Sequence, residues 1–333
     1  MITAPHRRLW IARALAVGAL GIAPTLPAVA QATTDWPTKP VKLLVPFPAG
    51  GGVDNMARIV TDRLSQQLGQ PIVVENQGGG GGTIASSVVA RAPADGYTLI
   101  FHSVSGAVVN AVTLKNLKYD PVNDFTPVTL VSRFPLVMVT NADFPARDLK
   151  EFIGVLKANP GKYSYGSSGV GTSIHLASEL FKSMAGVDIV HVPYKGTVAV
   201  MPDLIAGRVA MLIDGVPPQL PHIAAKKVKA LAVTTTTRAD VLPDVPAVNE
   251  VLPGYDIPFW TAIFAPANTP RAVVEKIAAE VKKAVEHPET AKKLKASGIE
   301  GVGSTPAEFD AYWRKQLAVY GKIAQDSNIK VDE

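Results

Sequence analysis

Along most of the 333-residue chain, short apolar runs typical of strands alternate with segments in which apolar residues recur at helical spacing. "VKLLVPF" at 41–47 is a short apolar run typical of a buried strand, and apolar residues at helical spacing follow it until Gly69 ends the helix. "IVVEN" and "GYTLIFHS" are two further strand-like runs, with a second predicted helix at 84–91 between them. This strand–helix order predicts a parallel sheet with helices on both faces.

The same order restarts after about residue 140, with a helix ended by Pro160, a strand and glycine loop before another helix, and further strands. The C-terminal part is predicted to be helical, with an apolar stripe over 274–285 that Pro288 ends. The last helix begins with a capping box, in which Thr305 is the N-cap and Glu308 its partner. Its buried face is marked by Phe309, Trp313, Leu317 and Tyr320.

Two extended runs, "TLVSRFPLVMVT" and "FWTAIFAP", flank the second strand–helix unit. If both cross between units, the chain leaves the first domain near 137 and returns near 258. We therefore predict a two-lobed α/β fold in which each lobe is a mostly parallel sheet with flanking helices and the crossing strands form a hinge. Domain 1 comprises 36–137 and 258–333, and domain 2 comprises 138–257.

The first thirty residues are typical of a secretory signal peptide. A basic start precedes the apolar run "ALAVGALGIA", and small residues stand at the positions that a signal peptidase reads, which predicts cleavage after Ala30 or Ala32. A transmembrane anchor is disfavoured because the run is short and prolines follow it. Cleavage removes three arginines and no acid, so the formal charge falls from +5 to +2. We therefore expect a periplasmic protein that binds no nucleic acid.

Motifs for cofactor binding fail one by one. A G-x-G-x-x-G motif from Gly50 needs glycine at position 55, where Asn55 stands, and Asp54 places a carboxylate where a pyrophosphate should rest. No G-K-[ST] follows either glycine run. The chain has no cysteine, and its six histidines show no metal-binding spacing. We predict neither a cofactor nor a metal site.

A serine hydrolase is considered because "YGSSGVGTSIH" places serines in a glycine turn before a helix. The G-x-S-x-G pattern fails for both Ser167 and Ser168, and a structural role is the ordinary interpretation of His175. No catalytic residue is predicted.

Six loops rich in glycine, serine or small residues follow predicted strands, at the edge where open α/β sheets bind ligands. Such loops let backbone N–H groups approach an oxygen anion, and helix N-termini favour negative charge. Each loop alone is explained equally well as a tight turn, but together they favour a binding cleft. For Asp54, Asp188 and Asp214, capping and turn roles are the more ordinary interpretation.

The chain resembles the substrate-binding proteins of tripartite tricarboxylate transporters, the Bug receptor family, from about Trp36 to its C-terminus. The resemblance is carried by "WPTKPVKLLVPFPAGGGVDNMAR", "IVVENQGGGGGTIASSVVARAPADGYTL", "DFTPVTLVS", "YGSSGVGTSIHLASELF", "VPYKGTVAVMPDLIAG" and "PAVNEVLPGYDIPFWTAIFAPANTP". Members usually carry Pro or Ala in the second glycine loop, where this chain has Gly79 and Gly80.

The resemblance implies a periplasmic binding protein fold of type II that closes on one small carboxylate. It also implies a monomer that is not an enzyme and delivers its ligand to the membrane components of a tripartite tricarboxylate transporter. The alternative is a secreted α/β hydrolase or oxidoreductase.

The ligand-binding positions implied by the resemblance are Phe47, Pro48, Ala49, Gly50, Gly51, Gly52, Val53, Asp54, Ser103, Val104, Ser105, Ser167, Ser168, Gly169, Gly171, Thr172, Ser173, His175, Tyr194, Lys195, Gly196 and Asp214. An apolar wall is expected from Phe47, Val53, Val104 and Val216. A valine at Gly51 is expected to block the ligand and to force an unfavourable backbone angle.

Overall fold

The computed structural model describes Met1 and residues 35–326. Apart from Met1, the predicted signal peptide lies outside the described residues, and so do both predicted cleavage positions. Within the described part of the chain, no helix is long and apolar enough to cross a membrane.

The first lobe is built on a six-stranded sheet with the order β11-β4-β10-β3-β1-β2, numbered along the chain. Its strands are β1 (Val41–Val45), β2 (Ile72–Asn76), β3 (Thr98–Ser103), β4 (Phe125–Phe134), β10 (Phe259–Pro266) and β11 (Glu300–Gly301). Its helices are α1 (Gly52–Leu68), α2 (Thr83–Ala90), α3 (Asn110–Thr113), α8 (Arg271–Glu286), α9 (Pro288–Ala296) and α10 (Pro306–Asp326). A π-helical turn, Ser105–Val109, follows β3.

The second lobe is built on a five-stranded sheet with the order β7-β6-β8-β5-β9. Its strands are β5 (Leu136–Asn141), β6 (Ser164–Ser167), β7 (Val190–Pro193), β8 (Met211–Gly215) and β9 (Val228–Val233). Its helices are α4 (Leu149–Ala158), α5 (Ser173–Ala185), α6 (Met201–Ile205) and α7 (Val216–Ala224). Short 3-10 turns lie at Thr197–Ala199 and Val248–Glu250 in this lobe and at Gly80–Gly82 in the first lobe.

The predicted two-lobed α/β fold is confirmed. Parallel pairing, which the strand–helix order predicts, joins β2, β1 and β3 in one sheet and β7, β6 and β8 in the other. Antiparallel pairing joins β10 to β3 and β4 in the first sheet, and β5 to β8 and β9 in the second, so both sheets are mixed. The domain boundaries near 137 and 258 stay predictions, and the strands closest to them are β5 and β10.

The apolar pattern of β1 explains how the first sheet is covered. Val41, Leu43 and Val45 pack on one side, in a cluster with residues of α1 and α8, while Leu44 belongs to a cluster on the other side. That second cluster also contains Phe181 of α5, so one apolar core runs through both lobes. Burial on both faces is typical of a central parallel strand and accounts for its nearly continuous apolar run.

The C-terminal helix begins as its sequence predicts. The Thr305 N–H donates to Glu308 Oε2 (2.8 Å) and the Glu308 N–H donates to Thr305 Oγ1 (3.3 Å), which are the two reciprocal bonds of a capping box. Trp313 is 1% exposed, and its indole Nε1–H donates to the Ala107 carbonyl (2.8 Å) in the π-helical turn. The helix thereby supports the segment that contains Ser105.

Candidate functional site

The parallel strands of the first lobe end at one edge, where their loops contact each other. The Asn76 side chain, at the end of β2, donates from Nδ2 to the Phe47 carbonyl (3.1 Å) after β1. A Cβ atom added at Gly78 would lie 3.5 Å from the Pro48 ring, so the second glycine loop packs closely on the first. The two loops therefore form one surface at this edge.

Asp54 anchors the first loop from the first turn of α1. Its carboxylate is 1% exposed and accepts hydrogen bonds from the Gly50 N–H (2.8 Å), Arg58 Nε (3.0 Å) and Asn76 Nδ2 (2.8 Å). Burial alone would raise the pKa of Asp54, but these hydrogen bonds together lower it. The carboxylate is thus satisfied inside the lobe, and it fixes the loop that the sequence analysis assigned to the ligand.

Replacing this carboxylate tests its anchoring role. Asp54→Asn removes the charge and turns an N–H₂ group towards donors, so we expect the free energy of unfolding to fall by about 2 kcal/mol. Urea denaturation measures this loss. Asp62→Asn, at an exposed position of the same helix, is the control, and equal losses in the two variants would contradict the assignment.

The structure corrects one expectation for the first glycine loop. Gly51 has φ −73° and ψ 165°, angles that any residue adopts, so a side chain there forces no unfavourable backbone angle. The left-handed angle belongs to Gly50, whose φ is +79°. A Cβ atom at Gly51 would lie 3.3 Å from the Pro48 carbonyl oxygen, so steric crowding remains. Three consecutive glycines do not reveal which of them needs a positive φ.

Ser103 is the last residue of β3, Val104 and Ser105 follow it, and all three are buried. The Ser103 hydroxyl has no hydrogen-bond partner among the described residues. Ser105 joins the lobes, because its Oγ lies 2.8 Å from Ser173 Oγ and accepts the Ser173 N–H (3.2 Å) at the start of α5. The N-terminal turn of α5 therefore faces the strand ends of the first lobe.

The loop before α5 is held by its own side chains. Thr172 is the N-cap of α5, and its Oγ1 accepts the His175 N–H (3.3 Å). Ser168 Oγ donates to Thr172 Oγ1 (3.0 Å), and the Gly171 N–H donates to His175 Nδ1 (3.2 Å). These contacts bring the predicted residues from Ser167 to His175 together at one helix N-terminus.

The loop after β7 lies against the loop that precedes α5. The Tyr194 and Gly196 N–H groups donate to the carbonyls of Ser167 (3.1 Å) and Ser168 (3.3 Å). The Tyr194 hydroxyl donates to Asp203 Oδ2 (2.7 Å), and burial together with this carboxylate raises the pKa of Tyr194 to about 12. Lys195 between them is exposed and has no carboxylate partner in the part of the chain described.

Asp214 ends the row of strand-end residues in the second lobe. Its carboxyl group is 5% exposed and accepts a hydrogen bond from Gln219 Nε2 (2.8 Å). Burial raises the pKa of Asp214 to about 6, although hydrogen bonds from Gln219, the Gly215 backbone and Thr197 oppose this shift. The carboxyl group is therefore tied to α7 and to the Thr197–Ala199 turn, and sequence reasoning found neither partner.

The buried histidines predict a pH-dependent stability. Burial lowers the pKa of His102 to about 3 and those of His175 and His191 to about 4. The unfolded chain therefore binds more protons than the folded chain between about pH 6.5 and 4, so stability is lost as the pH falls through this window. Burial also raises the pKa values of Asp214 and Asp256, and these two carboxyl groups act in the opposite direction to the three histidines.

Urea denaturation at pH 7.5, 6 and 5 measures the dependence. We expect the free energy of unfolding to fall at each step. A constant or rising free energy on acidification would contradict the proposed cause.

Two cavities that the structure contains lie outside the predicted site. One, of about 480 Å³, is lined by residues of α2 and by the segment after α3, including Ile84, Leu114 and Lys118. The second, of about 370 Å³, adjoins it and reaches Arg91. None of the predicted ligand-binding residues lines either cavity.

Two serine–histidine contacts in the structure are not predicted by any pattern in the sequence. Ser167 Oγ lies 2.7 Å from His191 Nε2, and Ser86 Oγ lies 2.8 Å from His102 Nε2. Both serine residues are fully buried. The parallel register pairs His191 of β7 with Tyr165 of β6, two positions before Ser167, and spacing in the sequence alone does not reveal this contact. Within the described residues, no cluster of three or more His, Asp or Glu side chains is arranged to hold a metal ion.

Comparisons with known proteins identify relatives over nearly the whole chain. The tripartite tricarboxylate transporter family receptor matches residues 56–329. Protein BugT of Bordetella pertussis is 32% identical over 321 residues, covering 96% of this chain and 98% of BugT.

Two solved structures extend the likeness to the fold. A protein of R. palustris with adipate superposes with a TM-score of 0.84 at 36% identity, covering 90% of this chain and 100% of that one. MatC from Rhodopseudomonas palustris, with bound malate, gives 0.79 at 31% identity and covers 86% and 99%. The chain therefore belongs to the tripartite tricarboxylate transporter receptor family, as its resemblance to the Bug receptors predicts.

Proposed function

We propose that this chain is a periplasmic solute receptor that captures one small organic acid between its lobes and delivers it to the membrane components of a tripartite tricarboxylate transporter. The observation that carries the proposal is the contact between Ser105 and Ser173, which brings the N-terminal turn of α5 to the strand ends of the first lobe. A cleft with a helix N-terminus on one side favours an anion.

The first lobe supplies a second helix N-terminus. α1 begins at Gly52, and its first-turn N–H groups, like those of any helix, have no intrahelical acceptor. The N-cap residue Gly51 offers them no side-chain acceptor either. The one buried acid of α1, Asp54, is satisfied by neighbouring donors and leaves these N–H groups free to meet another anion. We infer that the carboxylate is held between the first turns of α1 and α5.

The ligand's chemical class follows from the side chains around these turns. Phe47 and Val53 are half-buried and supply apolar surface, whereas Val104 and Val216 are fully buried and belong to the cores. The wall is thus smaller than the four residues expected from the sequence. Relatives solved with adipate and malate are consistent with a short aliphatic acid, and these two acids are suitable first probes.

Binding without turnover is the part of the proposal that separates it from the hydrolase alternative. The contact between Ser167 and His191 favours that alternative geometrically, because it pairs a hydroxyl with a neutral base. However, the Ser167 side chain is fully buried, and its Oγ also accepts the Gly169 N–H (3.1 Å). A buried hydroxyl that is already engaged cannot reach a substrate without rearrangement of the loop.

Calorimetric titration of purified protein with adipate and malate, followed by mass spectrometry of the recovered acid, tests the proposal. We expect one acid per chain, recovered unaltered. A chemically changed acid would show that the protein is an enzyme.

Export is tested by the intact mass of the protein recovered from the periplasm. We expect a chain cleaved after Ala30 or Ala32, and a chain that retains Arg13 would contradict export.

Lys195 provides a prediction about side-chain charge. It is exposed, and an exposed ion pair contributes little, so Lys195→Met should weaken adipate or malate binding by roughly fivefold at most. The same titration measures the change. Loss of all measurable binding would show that a salt bridge, rather than backbone N–H groups, holds the carboxylate.

A further inference from the structure

Three aromatic rings stack beneath the loop that precedes α5. The ring centroids of Tyr165 and His191 are 4.9 Å apart with an interplanar angle of 17°, and those of His191 and His175 are 4.0 Å apart at 16°. The rings come from β6, β7 and α5, so the stack joins three elements of the second lobe. We call these three residues the ring stack.

The two imidazoles hold the loop through their nitrogen atoms. His175 Nδ1 accepts the Gly171 N–H, and His191 Nε2 contacts Ser167 Oγ. Ser167 Oγ in turn accepts the Gly169 N–H. Alternate residues of the loop, 167, 169 and 171, are therefore all connected to the ring stack. Apolar rings of the same size would fill this space equally well. The contacts made by the imidazole nitrogens therefore add something that packing does not require.

Acceptance of the Gly171 N–H requires that His175 Nδ1 carry no proton. The charged groups that face the two imidazoles are Glu179 and Lys182 of α5, and Glu179 also accepts the Tyr165 hydroxyl. Burial is the main cause that lowers the pKa of both histidines to about 4. Lys182 and the closeness of the two rings, 4.0 Å apart, add to this effect, while Glu179 opposes it at His191.

We propose that His175 and His191 are positioning residues, whose neutral rings hold the loop from Ser167 to Thr172 so that the N-terminal N–H groups of α5 face the cleft. The Ser173 N–H already points there, because its acceptor is Ser105 of the other lobe, and a bound carboxylate would take over this N–H from the Ser105 hydroxyl. The consequence for ligand affinity rests on the proposed function, whereas the bracing of the loop does not.

Amide hydrogen exchange of the ligand-free protein tests the brace directly. His175→Phe and His191→Phe keep an aromatic ring in the stack and remove the nitrogen contacts. We expect exchange of the Gly171 amide in the first variant, and of the Gly169 amide in the second, to become roughly tenfold faster or more. A merely structural role would instead speed exchange throughout the second lobe, and unchanged rates at these glycines would also overturn the proposal.

A double-mutant cycle with Ser167→Ala and His191→Phe tests the coupling to ligand binding. If the two side chains act as one unit, each single variant should bind adipate or malate roughly tenfold more weakly, and the double variant should be no weaker than either. Losses that multiply would overturn the coupling. Ser167→Ala removes one oxygen atom only, so the cycle keeps a variant that should fold even if a phenylalanine variant does not.

The control is His222→Phe on α7, which should change neither exchange at the two glycines nor affinity. If the unmodified protein binds no carboxylate, the proposed function fails, and the exchange rates still decide the brace. If it binds normally and the histidine variants bind equally well, the positioning role fails and the receptor function stands.

Discussion

Gly51→Val is expected to weaken binding of adipate or malate by roughly tenfold to a thousandfold, because each hydrogen bond to a carboxylate contributes about 1.5–3 kcal/mol and the side chain blocks one or two of them. Gly51 is the N-cap of α1, directly before the N–H groups that we propose as donors. Its backbone angles suit valine, so the folded protein should persist. The added Cβ lies 3.3 Å from the Pro48 carbonyl oxygen and requires a shift of a few tenths of an ångström in the loop.

Calorimetric titration measures the affinity, and urea denaturation checks the fold. Gly154→Val is the matched control, since Gly154 lies at an exposed position of α4 with no atom within 4 Å of an added Cβ. We expect it to bind as the unmodified protein does. Normal binding by Gly51→Val would exclude the N-terminus of α1 from the site.

Trp313→Ala is expected to lower the free energy of unfolding by about 3–5 kcal/mol, the usual cost of deleting a large buried aromatic side chain. The indole packs against Phe264 with ring centroids 5.1 Å apart and is almost fully buried. Its loss also leaves the Ala107 carbonyl without its donor. Because Ala107 shares the π-helical turn with Ser105, we expect weaker ligand binding as well.

Denaturation with urea, extrapolated linearly, measures this loss. Val319→Ala, at an exposed position of the same helix, should change stability by less than about 0.5 kcal/mol. Trp313→Phe retains most of the packing and should fall between them. A loss in Trp313→Ala no larger than in Val319→Ala would contradict the role assigned to the indole.

The local rules of the sequence account for much of this fold. β1 is predictable because its apolar run is short and ends in Pro46, and α10 because Thr305 and Glu308 form a capping box without help from distant residues. Pro288 marks the end of one helix in the sequence, but it does not show that another helix begins there. It ends α8 as predicted, but its fixed φ and missing N–H also suit the first turn of a helix, so α9 begins at the same residue.

The contacts that shape the site depend on residues far apart in the chain. Ser105 and Ser173 are 68 positions apart, and Asp54 and Asn76 are 22 apart, so no periodic pattern brings them together. Sequence reasoning placed the strand-end loops at one edge, because parallel strands share a direction. It did not predict that His191 contacts Ser167, since that contact depends on strand register.

A crystal structure of residues 31–333 with adipate or malate tests the central claim most directly. We predict carboxylate oxygens within hydrogen-bonding distance of backbone N–H groups at the first turn of α1 and at the first turn of α5. A carboxylate held instead by a lysine or arginine side chain would contradict this account. An acid bound outside the cleft, such as in the cavity beside Ile84 and Lys118, would contradict it equally.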